Sequence, residues 1–187
     1  MQTKPKPLLI TAAVMLFLLA AHRLSPNIIL SDFATRIEFT SIIQILAYIA
    51  AGVIALVLMK KGAKKYGISL IVLVYAQLAG KVLEIFRFIE FFNTMTLQII
   101  ITQFIISAIY IIGLLLAYFH PKIPFCFIIL AINIFVFLAT CITEQALYTH
   151  YLNIFITNAV SSLIHTAATF LITFQIWRDA RNKNQII

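Results

Sequence analysis

The side chains in this chain that are best suited to acid–base chemistry are two carboxylates, Glu84 and Glu144, and one histidine, His165. Paired carboxylates can divide the acid and base roles of a reaction, and imidazole exchanges protons near neutral pH. The three residues lie far apart in sequence, on different predicted helices, so no local motif joins them. We therefore assign no catalytic residue, and an enzyme that uses these three groups is kept as an alternative.

Metal and covalent chemistry have weaker support in the sequence. The chain holds 4 histidines and 2 cysteines, and neither type shows the paired spacing of a metal site. Cys126 and Cys141 fall on one predicted helix, about 22 Å apart at the usual rise per residue, so they cannot bond to each other. The sequence has no nucleophile elbow, HExxH or glycine-rich phosphate motif. A haem would rest on the single pair His22 and His165, and we predict no metal and no cofactor.

The composition decides the environment in which such groups would work. The chain has 187 residues, of which 63% are apolar and 11% charged, and its mean hydropathy is +1.04. Soluble domains average roughly 45–50% apolar and about 25% charged residues. Soluble enzymes, disordered chains and disulfide scaffolds are therefore excluded. The sequence predicts an all-α, polytopic membrane protein.

The apolar residues form continuous runs long enough to cross a bilayer as helices, which takes about 20 residues. An outer-membrane barrel would instead alternate polar and apolar residues in shorter segments. All five prolines (Pro5, Pro7, Pro26, Pro121 and Pro124) fall at or beyond the predicted helix ends, and Thr35 with Glu38 forms a capping box before the second helix. We predict one integral membrane domain over residues 1–187 with six spans, at 8–24, 39–59, 66–86, 97–119, 124–142 and 152–177.

The first span has a second interpretation. Lys4 and Lys6 precede its apolar run, as they would in a cleavable signal peptide. His22 and Arg23 follow the run, however, where a cleavage site would need small residues. We expect a helix that is retained, with cleavage as the alternative.

The distribution of basic residues predicts the orientation. With a cytoplasmic N-terminus, the inner side holds 10 of the 14 Lys and Arg residues and the outer side holds 4. Basic residues in short loops favour the cytoplasm, so both termini are predicted to be cytoplasmic. The bases then face an anionic lipid leaflet and not nucleic acid, and Tyr66, Tyr118 and Trp177 lie near the inner interface as an aromatic belt. Short loops without glycosylation acceptors favour a multi-pass protein of the cell inner (cytoplasmic) membrane.

Each predicted helix carries polar residues on one face at 100° per residue. On the sixth helix this stripe holds Asn158, Ser162, His165 and Thr169. The corresponding stripes elsewhere include Gln44, Tyr48, Ala51 and Ala55 on the second helix, Gln103 and Tyr110 on the fourth, and Asn133 and Glu144 on the fifth. Polar groups inside a membrane are expected to face the bundle. The candidate ligand-binding residues are Gln44, Gln77, Lys81, Glu84, Gln103, Glu144, Asn158, Ser162 and His165.

These candidates belong to the extracytoplasmic half of the predicted bundle, whereas the inner half is almost purely apolar and ends in lysines. We therefore expect a polar cavity open to the outside. It would bind or transport a small ligand, or receive another membrane protein, with the lipid bilayer as the surrounding partner. The alternatives are the enzyme described above and a purely structural subunit, in which the polar residues only hold helices together.

The predicted orientation can be tested by cysteine labelling in intact cells. In a chain with both native cysteines replaced by alanine, Lys64→Cys should resist a membrane-impermeant thiol reagent because it lies in a cytoplasmic loop. Asp32→Cys should react, since it lies in an external loop. The reverse pattern would overturn the orientation and the assignment of the polar half to the outside.

Overall fold

The computed structural model describes the backbone of residues 6–29, 39–88, 94–147 and 152–183. Side chains are described for residues 6–24, 42–79, 101, 104–135, 137–138 and 159–182. Within these ranges the chain is all-α and contains no strand. The fold class predicted from composition is therefore confirmed as helical.

Seven α-helices account for most of the described backbone. Six of them have at least 20 residues, and they overlap the six predicted ranges. The seventh is a single turn that follows a short 3-10 turn, Met59–Lys61. The helices are α1 (Pro7–Ile29), α2 (Phe39–Leu58), α3 (Ala63–Tyr66), α4 (Ile68–Phe88), α5 (Thr94–Phe119), α6 (Phe125–Leu147) and α7 (Leu152–Lys183).

Several helix boundaries differ from the sequence prediction. Helix α1 continues through Pro26, which was expected to lie beyond its end; in the last turn, the missing N–H removes only one bond of the helix. Helix α7 continues past Trp177 to Lys183, since the added residues carry no breaker. The third predicted helix is divided near its start, because the single turn α3 ends at Tyr66 and α4 begins at Ile68. Gly62 has a φ of +99°, a left-handed conformation that favours glycine, and it separates the 3-10 turn from α3. The predicted capping box at Thr35 and Glu38 lies outside the described residues.

Three helical stretches are long and apolar enough to cross a membrane, judged by length and composition among the described residues. They are Pro7–Leu24, Ile42–Lys61 and Ala159–Asn182, with mean hydropathies of 1.9, 2.6 and 1.4. Shorter apolar stretches cover Phe104–Phe119 and Phe125–Phe135. The chain thus has the helices of a membrane protein.

The packing leaves many large apolar side chains on the outside, and its core mixes leucine, isoleucine and tyrosine with small and polar residues. Leu46 is 60% exposed, Val57 65% and Phe135 71%. The buried set includes many alanines and several polar residues, namely Ala12, Ala13, Ala47, Ala51, Ala55, Ala76, Ala117, Ala168, Ser69, Ser161, Thr166, Thr169, Thr173 and Gln175. Small residues let helices approach closely in a lipid-like surrounding. This distribution is the one expected where the outer surface meets hydrocarbon.

Helix α1 packs against two long helices. It contacts α2 and α7, and it contributes Leu9, Leu16 and Leu19 to the buried core. Lys6 bonds to Asp179, and His22 lies 3.2 Å from the hydroxyl of Ser161. These two contacts make α1 and α7 antiparallel neighbours.

The Asp179 carboxylate, near the end of α7, receives hydrogen bonds from three side chains. Lys6 donates to Oδ2 and forms an ion pair there, and the Tyr66 hydroxyl donates to the same oxygen at 2.8 Å. The amide of Gln175 donates to Oδ1 at 2.7 Å, and Arg178 donates to the Gln175 oxygen at 2.6 Å. The polar end of α7 is thus tied to the start of α1 and to α3.

Tyr66 corrects one sequence expectation. It was expected in an aromatic belt at the membrane interface, but it is 0% exposed. The Lys6 ammonium also lies 4.6 Å from the centre of its ring, within the range of a cation–π contact. Burial, the charge of Asp179 and the hydrogen bond to it all raise the pKa of Tyr66, so the hydroxyl stays protonated and keeps donating.

Several contacts gather the basic residues at the same end of the bundle. Tyr66 brings α3 to Asp179, and the Tyr118 hydroxyl at the end of α5 donates to the carbonyl oxygen of Lys64 at 3.5 Å. We call this region the basic end; its described members are Lys6, Lys60, Lys61, Lys64, Lys65, Lys122, Arg178 and Arg181.

The contribution of the Lys6–Asp179 pair can be measured by thermal unfolding in detergent. Both side chains are 19% exposed, so Asp179→Asn should leave a largely buried ammonium without its charge partner and cost about 1–3 kcal/mol. The double variant Lys6→Met with Asp179→Asn should recover part of that loss. Lys65→Met, an exposed lysine of the basic end, should change stability by less than about 0.5 kcal/mol. Equal effects of Asp179→Asn and Lys65→Met would mean that the pair contributes nothing.

Candidate functional site

A histidine lies between two tyrosines in the interior of the bundle. The Tyr110 hydroxyl is 2.9 Å from Nε2 of His165. The ring centres of Tyr48 and Tyr110 lie 5.7 and 5.9 Å from that of His165, both in tilted arrangements. Tyr48 is 5% exposed and Tyr110 7%. Three helices therefore meet at His165 of α7, because α2 contributes the ring of Tyr48 and α5 contributes the ring of Tyr110.

Helix α1 adds two further groups near this cluster. His22 Nδ1 and Ser161 Oγ lie 3.2 Å apart, one turn of α7 before His165. The Arg23 guanidinium is close enough to interact electrostatically with both Tyr48 and His165.

Two buried nitrogens in this region have no full hydrogen bond to another described group. They are Nδ1 of His165 and Nδ2 of Asn133 on α6. The carboxamide of Asn133 lies beside the Tyr110 hydroxyl and interacts with it, although Nδ2 does not reach the distance and angle of a full hydrogen bond to any described group. Most buried polar atoms in proteins are paired, and each exception calls for an explanation such as a water or a ligand. We call the group Tyr48, Tyr110, Asn133 and His165 the interior polar cluster.

The threonines of α7 do not share this property. Thr169 donates to the carbonyl oxygen of His165 at 2.9 Å, and Thr173 donates to that of Thr169 at 2.9 Å. Each hydroxyl is therefore satisfied within its own helix. These threonines are polar residues on the inward face of α7, but their hydroxyl protons are already used in hydrogen bonds within the helix.

The structure brings only part of the predicted site together. His165 is half-buried and lies at the centre of the interior polar cluster, whereas Gln44, Gln77 and Ser162 are half-buried without a described contact to it. Ser161, and not Ser162, is the buried serine that meets His22. The side chains of Lys81, Glu84, Gln103, Glu144 and Asn158 lie outside the described set, so their role as ligand-binding residues stays a prediction.

Three members of the interior polar cluster were absent from the predicted site. Tyr48, Tyr110 and Asn133 lie on the polar stripes of their helices, so helical periodicity already pointed them inward. Their stripes alone do not separate them from the other polar residues on the same helix faces. A rule that also counts tyrosine hydroxyls on a polar stripe would have found two of the three.

A cavity of about 300 Å³ lies between α5 and α6. Its lining residues are Ile106, Ile109, Ala131, Ile132 and Phe135, all apolar. It therefore does not provide the polar surface predicted for a ligand cavity. Among the described residues, no group of three histidines, cysteines or carboxylates could hold a metal ion.

Comparison with known proteins gave no matching family model, no matching curated protein and no matching solved structure. The function must therefore be argued from the site itself.

The Tyr110–His165 hydrogen bond should contribute measurably to stability. Tyr110→Phe would leave Nε2 of His165 without its described partner, beside a second unpartnered nitrogen, and should cost about 1–3 kcal/mol in thermal unfolding. Tyr75→Phe removes the same hydroxyl from a residue that is 68% exposed and should cost less than about 0.5 kcal/mol. Indistinguishable melting temperatures for the two variants would show that the hydrogen bond is not formed.

Proposed function

We propose that this chain is a multi-pass protein of the cytoplasmic membrane that binds a small polar ligand at the interior polar cluster. In this proposal six helices span the membrane, both termini are cytoplasmic, and the basic end faces the cytoplasm. The overlap of six long helices with the six predicted spans supports this arrangement, as does the exposure of large apolar side chains on their outer faces. The positive-inside tendency supports the orientation.

The depth of the cluster supports access from the extracytoplasmic side. His165 lies 14 residues before Asp179 on α7, which is about 21 Å along a helix axis. The hydrocarbon core of a bilayer is about 30 Å thick. With Asp179 at the cytoplasmic surface, His165 belongs to the outer half of the membrane.

The observation that carries the proposal is the pair of buried, unpartnered nitrogens on His165 and Asn133. Structural polar residues in membrane proteins stabilise by forming hydrogen bonds between helices, at about 0.6 kcal/mol each. A buried donor without a partner does the opposite and costs about 1–3 kcal/mol. Groups that destabilise the empty protein are typical of functional sites, where a ligand supplies the missing partner.

Two other functions remain as alternatives. In a purely structural subunit, these polar groups would form hydrogen bonds with one another between helices. The Tyr110–His165 contact pairs only Nε2 of His165 in this way and leaves Nδ1 without a described partner. An enzyme would need a second reactive group close to His165. The described contacts of His165 are with tyrosines, and no observation favours that alternative over binding.

The effect of Asn133→Leu on stability separates binding from a structural role. Leucine has nearly the shape of asparagine but no donor, so the variant should raise the stability of the ligand-free protein in detergent by about 1–3 kcal/mol. Gln175→Met provides the matched control, because this buried amide has a partner in Asp179, and it should lower stability. A loss of stability in Asn133→Leu as large as that in Gln175→Met would assign Asn133 to helix packing and remove the main support for binding.

A further inference from the structure

Four lysines occupy one short turn at the basic end of the bundle. They belong to the 3-10 turn Met59–Lys61 and to α3, and all four are exposed. No hydrogen bond or ion pair joins their side chains to another described residue, whereas the Asp179 carboxylate at this end is already paired with Lys6. We call residues 60–65 the lysine turn; its lysines are Lys60, Lys61, Lys64 and Lys65. These four ammonium groups can therefore receive an anion from outside the chain.

Contacts with three long helices hold the backbone of the lysine turn in place. Tyr66, the next residue, is buried, and its hydroxyl donates to Asp179 of α7 at 2.8 Å. The hydroxyl of Ser69 on α4 donates to the carbonyl oxygen of Tyr66 at 2.7 Å. The hydroxyl of Tyr118 on α5 donates to the carbonyl oxygen of Lys64 at 3.5 Å. Charge alone is enough to orient a helix in a membrane, so a loop with only that role does not require such anchoring.

Gly62 gives the lysine turn a backbone conformation that other residues adopt only with strain. Its φ of +99° and ψ of 165° lie in a region that is almost restricted to glycine. No atom lies within 4 Å of the position that a Cβ would take, so the constraint comes from the backbone and not from crowding. The lysine pairs before and after Gly62 are therefore placed by a defined geometry of the turn.

Exposed apolar side chains flank the lysine turn on both sides. Val57 lies three residues before Lys60, Ile68 lies three residues after Lys65, and both are exposed. Val57 belongs to Ile42–Lys61, one of the stretches long and apolar enough to cross a membrane. The lysines thus lie where an apolar outer surface ends. A molecule with an anionic headgroup and acyl chains can contact both kinds of side chain, whereas a free phosphate can contact only the lysines.

We propose that the lysine turn binds one anionic phospholipid, with the lysines around its phosphate and its acyl chains along the exposed apolar side chains of α2 and α4. Lysine ammonium groups bind phosphate as point charges. A basic residue beside an anionic lipid surface contributes about fivefold in affinity. The proposal goes beyond a general attraction of basic loops to the membrane, because it assigns a lipid to one position. It does not depend on the ligand of the interior polar cluster.

Native mass spectrometry of the full chain in a nonionic detergent tests the proposal, because it counts bound lipids and gives their dissociation constants. The probes are phosphatidylglycerol, which is anionic, and phosphatidylcholine with the same acyl chains, which has no net charge. Glycerol phosphate provides an anionic phosphate without acyl chains.

Two double variants remove the same charge from exposed residues of the basic end. One is Lys64→Gln with Lys65→Gln, in the lysine turn, and the other is Lys122→Gln with Arg181→Gln, outside it. A third variant, Gly62→Ala, keeps all four lysines and changes only the backbone of the turn. Melting temperatures in lipid-free detergent check that each variant is folded.

We expect one molecule of phosphatidylglycerol to bind saturably, and phosphatidylcholine to bind about tenfold more weakly or less tightly still. The double variant of the lysine turn should weaken phosphatidylglycerol binding about 25-fold, since each lysine contributes about fivefold. The charge-matched variant outside the turn should weaken it less than about threefold, because salt screens more distant charges. Gly62→Ala should weaken binding about fivefold by changing the arrangement of the lysine pairs, and glycerol phosphate should bind far more weakly than the lipid.

Several results would contradict the proposal. Equal losses in the two double variants would assign the attraction to the net charge of the basic end. Unchanged binding in a folded Gly62→Ala variant would show that the geometry of the turn is not used. Equal binding of the two lipids, or glycerol phosphate binding as tightly as phosphatidylglycerol, would exclude an anionic phospholipid held by both headgroup and chains. The two double variants decide the question even if Gly62→Ala does not fold.

Discussion

The requirement that governs this structure is that polar groups inside the bundle must find their partners within the protein. The outer faces of the helices carry isoleucine, leucine, valine and phenylalanine, and a hydrocarbon surrounding offers no hydrogen bonds. Asp179 shows how the requirement is met for a charge: three donors surround its carboxylate, and one of them brings the opposite charge. Thr169 and Thr173 meet it more simply, by bonding to carbonyl oxygens of their own helix.

The same requirement determines the packing around α1. A helix can approach its neighbours closely only where its side chains are small or its polar groups are matched. Ala12 and Ala13 are fully buried, and Gly52 on α2 leaves room for the ring of Phe17, which a Cβ would meet at 2.8 Å. The two polar contacts of α1 with α7 lie at opposite ends of this close packing. Apolar packing thus brings the helices together, and the polar contacts fix which residues of each helix face each other.

Sequence patterns predicted those parts of the structure that depend on one helix at a time. Helical periodicity placed Tyr48, Tyr110 and Thr169 on inward faces, and all three are buried. Periodicity placed Ser162 on the inward stripe, but the serine that contacts His22 is Ser161. Adjacent residues point 100° apart around a helix, and which of the two faces a partner depends on the position of His22 on α1. The burial of Tyr66 also depended on a partner from another helix, Asp179. A single sequence gives the faces of helices, whereas the pairing between faces requires the three-dimensional arrangement.

The polar residues of the interior therefore differ in what they contribute, although a hydropathy profile treats them alike. Threonine hydroxyls satisfied by their own helix are close to neutral for stability, and Asp179 with its donors stabilises one specific contact of α1, α3 and α7. Nδ1 of His165 and Nδ2 of Asn133 differ from both kinds of residue. Their burial costs free energy, and no hydrogen bond to a described group offsets that cost. A ligand that forms hydrogen bonds with these two nitrogens would supply the partners that the ligand-free protein lacks. Its affinity would then come from groups that do not stabilise the fold. For this reason the unpaired nitrogens, more than the number of polar residues, support the proposal that the interior polar cluster binds a ligand.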